Sequence, residues 1–317
     1  MTEIYSYTSN IAKLFKHMDK LQALQNGKVS PIMVHVIPTH KCQLNCLHCC
    51  FKNRENRYAD MSLDVWKTAI DQLYKIGVNS LEFTGGGDPM MWPYINEASN
   101  FSYDMGFSMG MITNGIGIAN IKNWNQFDWV RVSLNTLDYR DTLDIELVKK
   151  SDVDVSFCYI WNELSNKKID KIIEFANYHK IPCRLAPDCI TSLDKIQDQI
   201  NHIKLVLESF KDNKYVLLSD FNIDLYRENN DCRIHMIKPC LYLDGWLYAC
   251  PSAELAMENN KQICDKVKIC KYNDIERFYN SDEAIKKREY DCSYCKYVKQ
   301  QTILEALLME TKHNAFA

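Results

Sequence analysis

Cys42, Cys46 and Cys49 form a Cys-x3-Cys-x2-Cys run directly behind the apolar stretch Ile32-Met33-Val34-His35-Val36-Ile37. An apolar run of that length, closed by Pro38, suits a buried strand. The three thiols are therefore carried on the loop at a strand's carboxyl end. Three closely spaced thiolates can hold a metal or an iron–sulfur cluster. A four-iron cluster bound by three Cys leaves one iron without a protein ligand, an open position like that of a catalytic zinc. A Cys3His zinc knuckle that recruits His48 is the alternative on the same residues. It accounts for neither the preceding strand nor the Gly-rich run downstream. Cys50 reads as a spectator, because a fourth thiolate would fill the open iron.

The pattern behind the Cys run is an alternation of strands and helices. Ser62 is placed to cap an amphipathic helix marked by Leu63, Trp66, Ile70, Leu73 and Ile76 and stopped by Gly77. Strands follow at 80–84, 107–112, 129–134, 153–160 and 183–186, with helices expected over 94–105, near 141–149 and around Ile169 to Ala176. With the strand before the Cys run this makes six, and βα alternation of this kind argues for parallel units with right-handed crossovers. The period alone does not distinguish a barrel from an open doubly wound sheet. In either, ligands bind at the carboxyl ends of the strands. The Cys run, Gly85-Gly86-Gly87-Asp88-Pro89, Thr113-Asn114-Gly115 and Ser133-Leu134-Asn135 all fall there.

Residues 1–30 read as a leading helical extension with Ile11, Leu14, Phe15, Met18 and Leu21 at helical spacing. A long helix over 192–210 leaves the alternating unit, and the composition then changes. The expected division is 31–211 for the core and 212–317 for a smaller module. That module contains a hairpin turn at Leu243-Asp244-Gly245-Trp246-Leu247 and a closing helix over 298–309.

Fourteen Cys in a chain of 317 residues also need a reason. In a reducing compartment, clustered Cys point to metal or redox work rather than disulfides. They group at 42–50, 232–250 and 292–295. Cys158, Cys183, Cys189, Cys264 and Cys270 are scattered and read as ordinary small residues. The net charge of −3 gives no global field for nucleic acid, and residues 261–299 hold a local excess of only three positive charges. No run of 18 apolar residues or secretory leader is present, so a cytoplasmic chain without membrane contact is expected.

In the Gly run, three glycines let a backbone approach a ligand closely, and Asp88 offers an acceptor for an ammonium group. Behind the Cys-x3-Cys-x2-Cys loop and a second strand, this run resembles the Gly-Gly-Glu-Pro motif of the radical S-adenosylmethionine (radical SAM) enzymes, with Asp in place of the usual Glu. The resemblance implies a partial (β/α)6 TIM-like barrel. It also implies a [4Fe–4S] cluster on Cys42, Cys46 and Cys49, and SAM held near Gly85, Gly86, Gly87 and Asp88. Thr113, Asn114, Ser133 and Asn135 would contact the SAM ribose and carboxylate, and Arg184 would face SAM or substrate. On residues alone, these polar groups suit turn and cap chemistry equally.

Cys232-x12-Gly245-x4-Cys250 with Cys292-x2-Cys295 is similar to the auxiliary-cluster module of the SPASM and Twitch subgroups. It implies one auxiliary [4Fe–4S] cluster on Cys232, Cys250, Cys292 and Cys295. A structural zinc on the same thiolates is the alternative, and Cys240 competes with Cys232 as ligand. A free Cys240 beside a substrate radical would be a candidate catalytic hydrogen donor, as in radical SAM epimerases. The activity implied is reductive cleavage of SAM and hydrogen abstraction from a peptide or polar small molecule, ending in dehydrogenation, epimerisation or cross-linking. Flavodoxin or ferredoxin would supply electrons. Modification of a nucleobase or nucleotide, and a zinc-stabilised binding protein without activity, are the competing functions.

Overall fold

The computed structural model describes residues 10–52, 54, 56–188, 193–218, 231–251, 267–290, 295 and 297–312. Six parallel strands run in chain order: β1 (Val34–Ile37), β2 (Ser80–Phe83), β3 (Ser108–Thr113), β4 (Trp129–Ser133), β5 (Asp154–Ile160) and β6 (Cys183–Ala186). A seventh, β7 (Val216–Leu218), adds parallel to β6. On the other side, β9 (Cys240–Tyr242) pairs parallel to β1. It turns through a hairpin into β10 (Trp246–Tyr248), which pairs antiparallel with β11 (Lys268–Lys271). The result is one ten-stranded sheet in the order β11-β10-β9-β1-β2-β3-β4-β5-β6-β7, with edges at β7 and β11. This is the mixed α/β, mostly parallel architecture of a partial barrel. A separate pair joins β8 (Asp231–Cys232) to β12 (Arg288–Glu289).

The outer face is apolar. Val34, Val36, Leu81, Phe83, Val130, Val132, Phe157, Tyr159, Cys183 and Leu185 are buried there under the helices. The helix Leu63–Lys75 forms as expected: Ser62 Oγ accepts the Val65 N–H at 3.3 Å, and its buried face is Trp66, Ala69, Ile70 and Leu73. Gly77, at φ +81°, takes the left-handed turn that ends it, and the Val78 N–H reaches back to the Leu73 carbonyl at 3.0 Å. The Trp66 ring sits 5.2 Å from Phe83 and 5.5 Å from Trp92, tying this helix to β2.

Two expectations change. The leading helix is broken by a tight turn at Phe15–His17, which rotates the apolar face. Leu14, Leu21 and Leu24 are buried while Phe15 and Met18 stay exposed. The helix expected near 141–149 is two short pieces, Thr136–Tyr139 and Glu146–Lys149. The long helix runs Leu193–Ser209 and the closing helix Val298–Leu308.

His235 lies fully buried in the tight turn Ile234–Met236 between β8 and β9. Its Nε2–H donates to the Ala284 carbonyl at 3.0 Å, and Nδ1 has no partner among the described residues. Burial, then the charge of Arg288, push its pKa down to about 3. The unfolded chain therefore binds a proton there that the folded chain refuses. Stability from this site is present above about pH 6.5 and is lost as pH falls, at up to ~1.4 kcal/mol per pH unit. His235→Phe is expected to flatten the melting temperature against pH between 6.5 and 4; parallel curves for the two proteins would contradict it.

Candidate functional site

The Cys loop leaves β1 at Pro38 and is closed at its base. The Met61 N–H donates to the Pro38 carbonyl at 2.8 Å, and the His40 N–H to Ala59 at 2.9 Å. The Thr39 hydroxyl donates to Asp60, which also pairs with Lys41. Arg54 donates to the carbonyls of His40 and Phe51 at 2.9 and 2.8 Å. His40 is neutral, its pKa lowered chiefly by burial. Its Nδ1–H donates to the Asn56 carbonyl, and Nε2 accepts from the Tyr242 hydroxyl on β9.

The Gly run after β2 is pressed against this loop. The Gly87 N–H donates to the Thr39 carbonyl and the Asp88 N–H to Lys41, each at 2.7 Å. A Cβ on Gly87 would stand 2.0 Å from the Lys41 oxygen, and one on Gly86 would stand 2.5 Å from the His40 ring. The glycines are thus required for the approach of one loop to the other.

Asp88 is 3% exposed and turns inward. Its carboxylate accepts from the Thr113 hydroxyl at 2.8 Å, the Asn114 N–H at 2.7 Å and the Met90 N–H at 3.0 Å. It clasps the Gly run to the end of β3. Burial raises its pKa, and these three donors oppose the rise.

The three thiols share this half-buried loop. Burial, then the neighbouring Cys49 and Cys42, push the Cys46 pKa up to about 12, and burial raises that of Cys42. Cys42 Sγ accepts N–H groups from Leu44 at 3.4 Å and from the Asn114 side chain at 3.5 Å. Such donors suit a metal-bound thiolate, and a cation must displace the protons that burial retains. Among the described residues, no three His, Cys, Asp or Glu stand close enough to hold a single metal ion. A four-iron cube spreads its thiolates more widely. The donor set and its burial fit a cluster.

The other polar strand ends divide. Asn114 reaches the Cys loop, donating to Gln43 at 3.0 Å as well as to Cys42. Asn135 is spent on the chain itself. It donates to Ile160 O at 2.8 Å and Asp138 at 3.0 Å, and it accepts from the Ile160 N–H at 2.8 Å and the Ser133 hydroxyl at 3.3 Å. An amide has two donors and two acceptor positions, so all are used. Arg184 stands on β6 beside Cys158, with its Nε enclosed and unpartnered among the described residues.

Cys240 is 1% exposed, in register between His35 of β1 and Tyr248 of β10. It packs in a small cluster with Ile37, Phe51 and Tyr242, against which Cys49, Cys50 and Cys232 also rest. Cys232 and Cys250 are half-buried, β8–β12 pairing sets Cys232 opposite Arg288, and Cys295 is half-buried. Cys292, Cys189 and Cys264 lie outside the described residues.

Residues not singled out from sequence also face inward: His35, Glu82, Arg131 and Lys238. His35 Nε2 stands 3.1 Å from Glu82. Burial alone would raise the Glu82 pKa, but the charges of His35 and Lys238 hold it well below the usual range. The signal was available. Parallel strands covered on both faces read as continuous apolar runs, so a charge inside Ser-Leu-Glu-Phe or Trp-Val-Arg-Val-Ser marks an interior face.

Gly87→Ala is expected to force the two loops apart, costing about 1–3 kcal/mol and reducing the iron and acid-labile sulfide bound after anaerobic reconstitution. Unchanged iron content would contradict the close-approach role.

A match to a protein-family model falls on the same residues. The model of the Radical SAM superfamily matches residues 36–157. The chain is 28% identical over 125 residues to an S-adenosylmethionine-dependent nucleotide dehydratase of Selenomonas ruminantium, covering 38% of this chain and 44% of that protein. It is 27% identical over 105 residues to the antilisterial bacteriocin subtilosin biosynthesis protein AlbA of Bacillus subtilis strain 168, covering 32% of this chain and 23% of that protein. Each match thus spans less than half of the relative. Streptococcus suis SuiB, solved with its precursor peptide SuiA, superposes with a TM-score of 0.58 at 16% identity, covering 86% of this chain and 70% of SuiB. The Cys loop, the Gly run and the ends of β3 and β4 all lie inside the matched segment, so residues 36–157 carry a Radical SAM superfamily domain.

Proposed function

We propose that this enzyme reductively cleaves SAM and abstracts a hydrogen atom from a peptide or polar small molecule held in the barrel. The observation that carries the reading is the joining of the Cys loop to the Gly run by two 2.7 Å backbone hydrogen bonds, with no room for a Cβ between them. Bound on Cys42, Cys46 and Cys49, a [4Fe–4S] cluster with SAM supplies one-electron cleavage to methionine and a 5′-deoxyadenosyl radical, the species that removes hydrogen.

The chain's own residues prepare that site. The closed base of the loop fixes the three thiols, and Asn114 orients Cys42 by its N–H···S contact. Asp88 holds the Gly run and the end of β3 in one piece, leaving the backbone of the run to meet the amino acid end of SAM. Thr113 acts through Asp88, and Asn135 and Ser133 brace β4 against β5. Phe51, Tyr242 and Tyr248 exclude water on the β9 side.

Residues 31–211 act as the SAM core, 1–30 as a helical cap, and 212–317 as the auxiliary module. Cys232, Cys250, Cys292 and Cys295 are its ligands. Cys240 is buried within the ten-stranded sheet while Cys232 is half-buried on the separate β8–β12 pair, which favours Cys232 as ligand. Cys240, packed in the cluster that Cys49 also touches, keeps the hydrogen-donor role for an epimerising reaction. A flavodoxin- or ferredoxin-type donor supplies the electron. Among the described residues, no helix is long and apolar enough to cross a membrane.

The relatives' names point to two substrate classes, nucleotides and bacteriocin peptides. Incubating dithionite-reduced, reconstituted protein with SAM is expected to release 5′-deoxyadenosine. Cys42→Ala, Cys46→Ala or Cys49→Ala should abolish it. Cys295→Ala should remove about half of ~8 iron atoms per chain while slow SAM cleavage persists. A colourless, zinc-loaded protein that never cleaves SAM would overturn the proposal.

A further inference from the structure

The inner face of the sheet carries an unusual set of charges. Strand register places them together. His35 lies beside Glu82, and Glu82 beside Gly110. Two residues on, Ile112 lies beside Arg131, and Arg131 beside Ser156. Two residues further, Cys158 lies beside Arg184. Side chains two apart on a strand share a face, so His35, Glu82, Arg131, Ser156, Cys158 and Arg184 all line the interior. Cys240, in register with His35, extends that face to β9, and Lys238 precedes it by two residues.

These groups are close enough to feel one another. The charges of Glu82, Arg131 and Arg184 all act on Lys238, those of Arg131 and Glu82 act on Arg184, and those of Lys238 and Arg131 act on Glu82. The chamber lies just below the Cys loop. Ile37, the last residue of β1, is two residues above His35, roughly 7 Å along the strand.

The charges do not balance. Glu82 is the single carboxylate in this set, and it is held by His35 at 3.1 Å. The Arg131 guanidinium lies over the Trp129 ring at 5.4 Å, and the Lys238 ammonium over the Tyr297 ring at 5.6 Å. Neither they nor Arg184 has a carboxylate hydrogen bond among the described residues, and the enclosed Arg184 Nε has no partner there. The Lys13 ammonium also feels Arg131, Glu82, Lys238 and Arg184, so four cations stand against one carboxylate on this largely buried face, where they repel one another and attract an anion. Gly110 keeps the wall flat: a Cβ there would stand 2.1 Å from the Trp129 indole that carries Arg131.

We propose that Arg131, Arg184 and Lys238 bind the phosphate of a phosphorylated small-molecule substrate inside the barrel. A phosphate ester carries about −1.5 to −2 charges at pH 7, which offsets most of the three cations in excess of Glu82. A single acidic peptide side chain carries half of that. Guanidinium groups also meet phosphate oxygens in a bidentate fork. The His35–Glu82 pair holds the far wall and keeps one side of the chamber from closing on the anion. This assignment rests on the reading of the chain as a radical SAM enzyme with its substrate in the barrel.

The test is calorimetric titration of the full-length, reconstituted protein with inorganic pyrophosphate, and separately with tetraglutamate and with SAM. Pyrophosphate is expected to bind, more weakly as salt rises. Arg131→Gln, Arg184→Gln and Lys238→Met should each weaken it at least tenfold, and Arg131→Lys by only a few-fold. Because each neutral variant loses like-charge repulsion together with an attraction to Glu82, its melting temperature without ligand should stay level. Failure of the wild-type protein to bind pyrophosphate would overturn the assignment, as would tighter binding of tetraglutamate, displacement of pyrophosphate by SAM, or melting temperatures that fall together with affinity. SAM cleavage by the wild-type protein is assayed alongside. Cleavage without pyrophosphate binding sinks the phosphate assignment alone, and pyrophosphate binding without cleavage sinks the radical SAM activity alone.

Discussion

Two backbone hydrogen bonds, from Gly87 to Thr39 and from Asp88 to Lys41, fasten the loop after β2 to the loop after β1. They form only because no Cβ stands between the two chains. Asp88 then passes the constraint to β3 through Thr113 and Asn114, and Asn114 passes it back to Cys42. Three strand ends are thereby locked to one another around the thiols. A cluster held by three ligands depends on such a frame, because the fourth position must be left for another molecule while the protein keeps its shape.

The strands of the core were legible because each is a short apolar run between Gly, Pro or Asn turns, and the helix after Ser62 because its cap, period and stop agree. The rest failed for definite reasons. Short strand-like runs are expected over 215–255, and Val216–Leu218 and Asp231–Cys232 fall there, but they are too short for a period to fix their bounds and exist as strands through their neighbours. The leading helical stretch is split after Leu14 by a tight turn that leaves Phe15 and Met18 exposed while Leu21 stays buried. The Gly run was found, but its glycines meet the Cys loop, a contact that no local pattern encodes. Asp88 and Asn135 were chosen as polar groups open to a ligand, yet both spend their side chains on the protein. Residue type announces that a group can bond, while tertiary placement decides to what. The charges inside the strands went unread for a related reason: single polar residues in apolar runs look like noise until register aligns them on one face.

Two halves of the molecule meet at β1. On one side it carries the thiols into contact with β2 and β3. On the other it pairs with β9, whose Tyr242 hydroxyl reaches His40 in the Cys loop. Cys240 on β9 is therefore joined to the Cys loop through the sheet itself. His40 is kept neutral by burial, with one ring nitrogen donating and the other accepting, so this link adds no charge beside the thiols. The charged interior lies below, separated from the thiols by Ile37 and the apolar cluster around it. The fold thus keeps the thiol loop and the charged interior face apart along the same strands.

The central claim is that the Cys loop presents an iron with an open position to SAM. Electron paramagnetic resonance of the reduced, reconstituted protein, recorded before and after adding SAM, tests it most directly. The signal of the cluster is predicted to change on addition of SAM, and the change to be lost in Cys46→Ala. An intense signal from the Cys42, Cys46 and Cys49 cluster that is identical with and without SAM would contradict it.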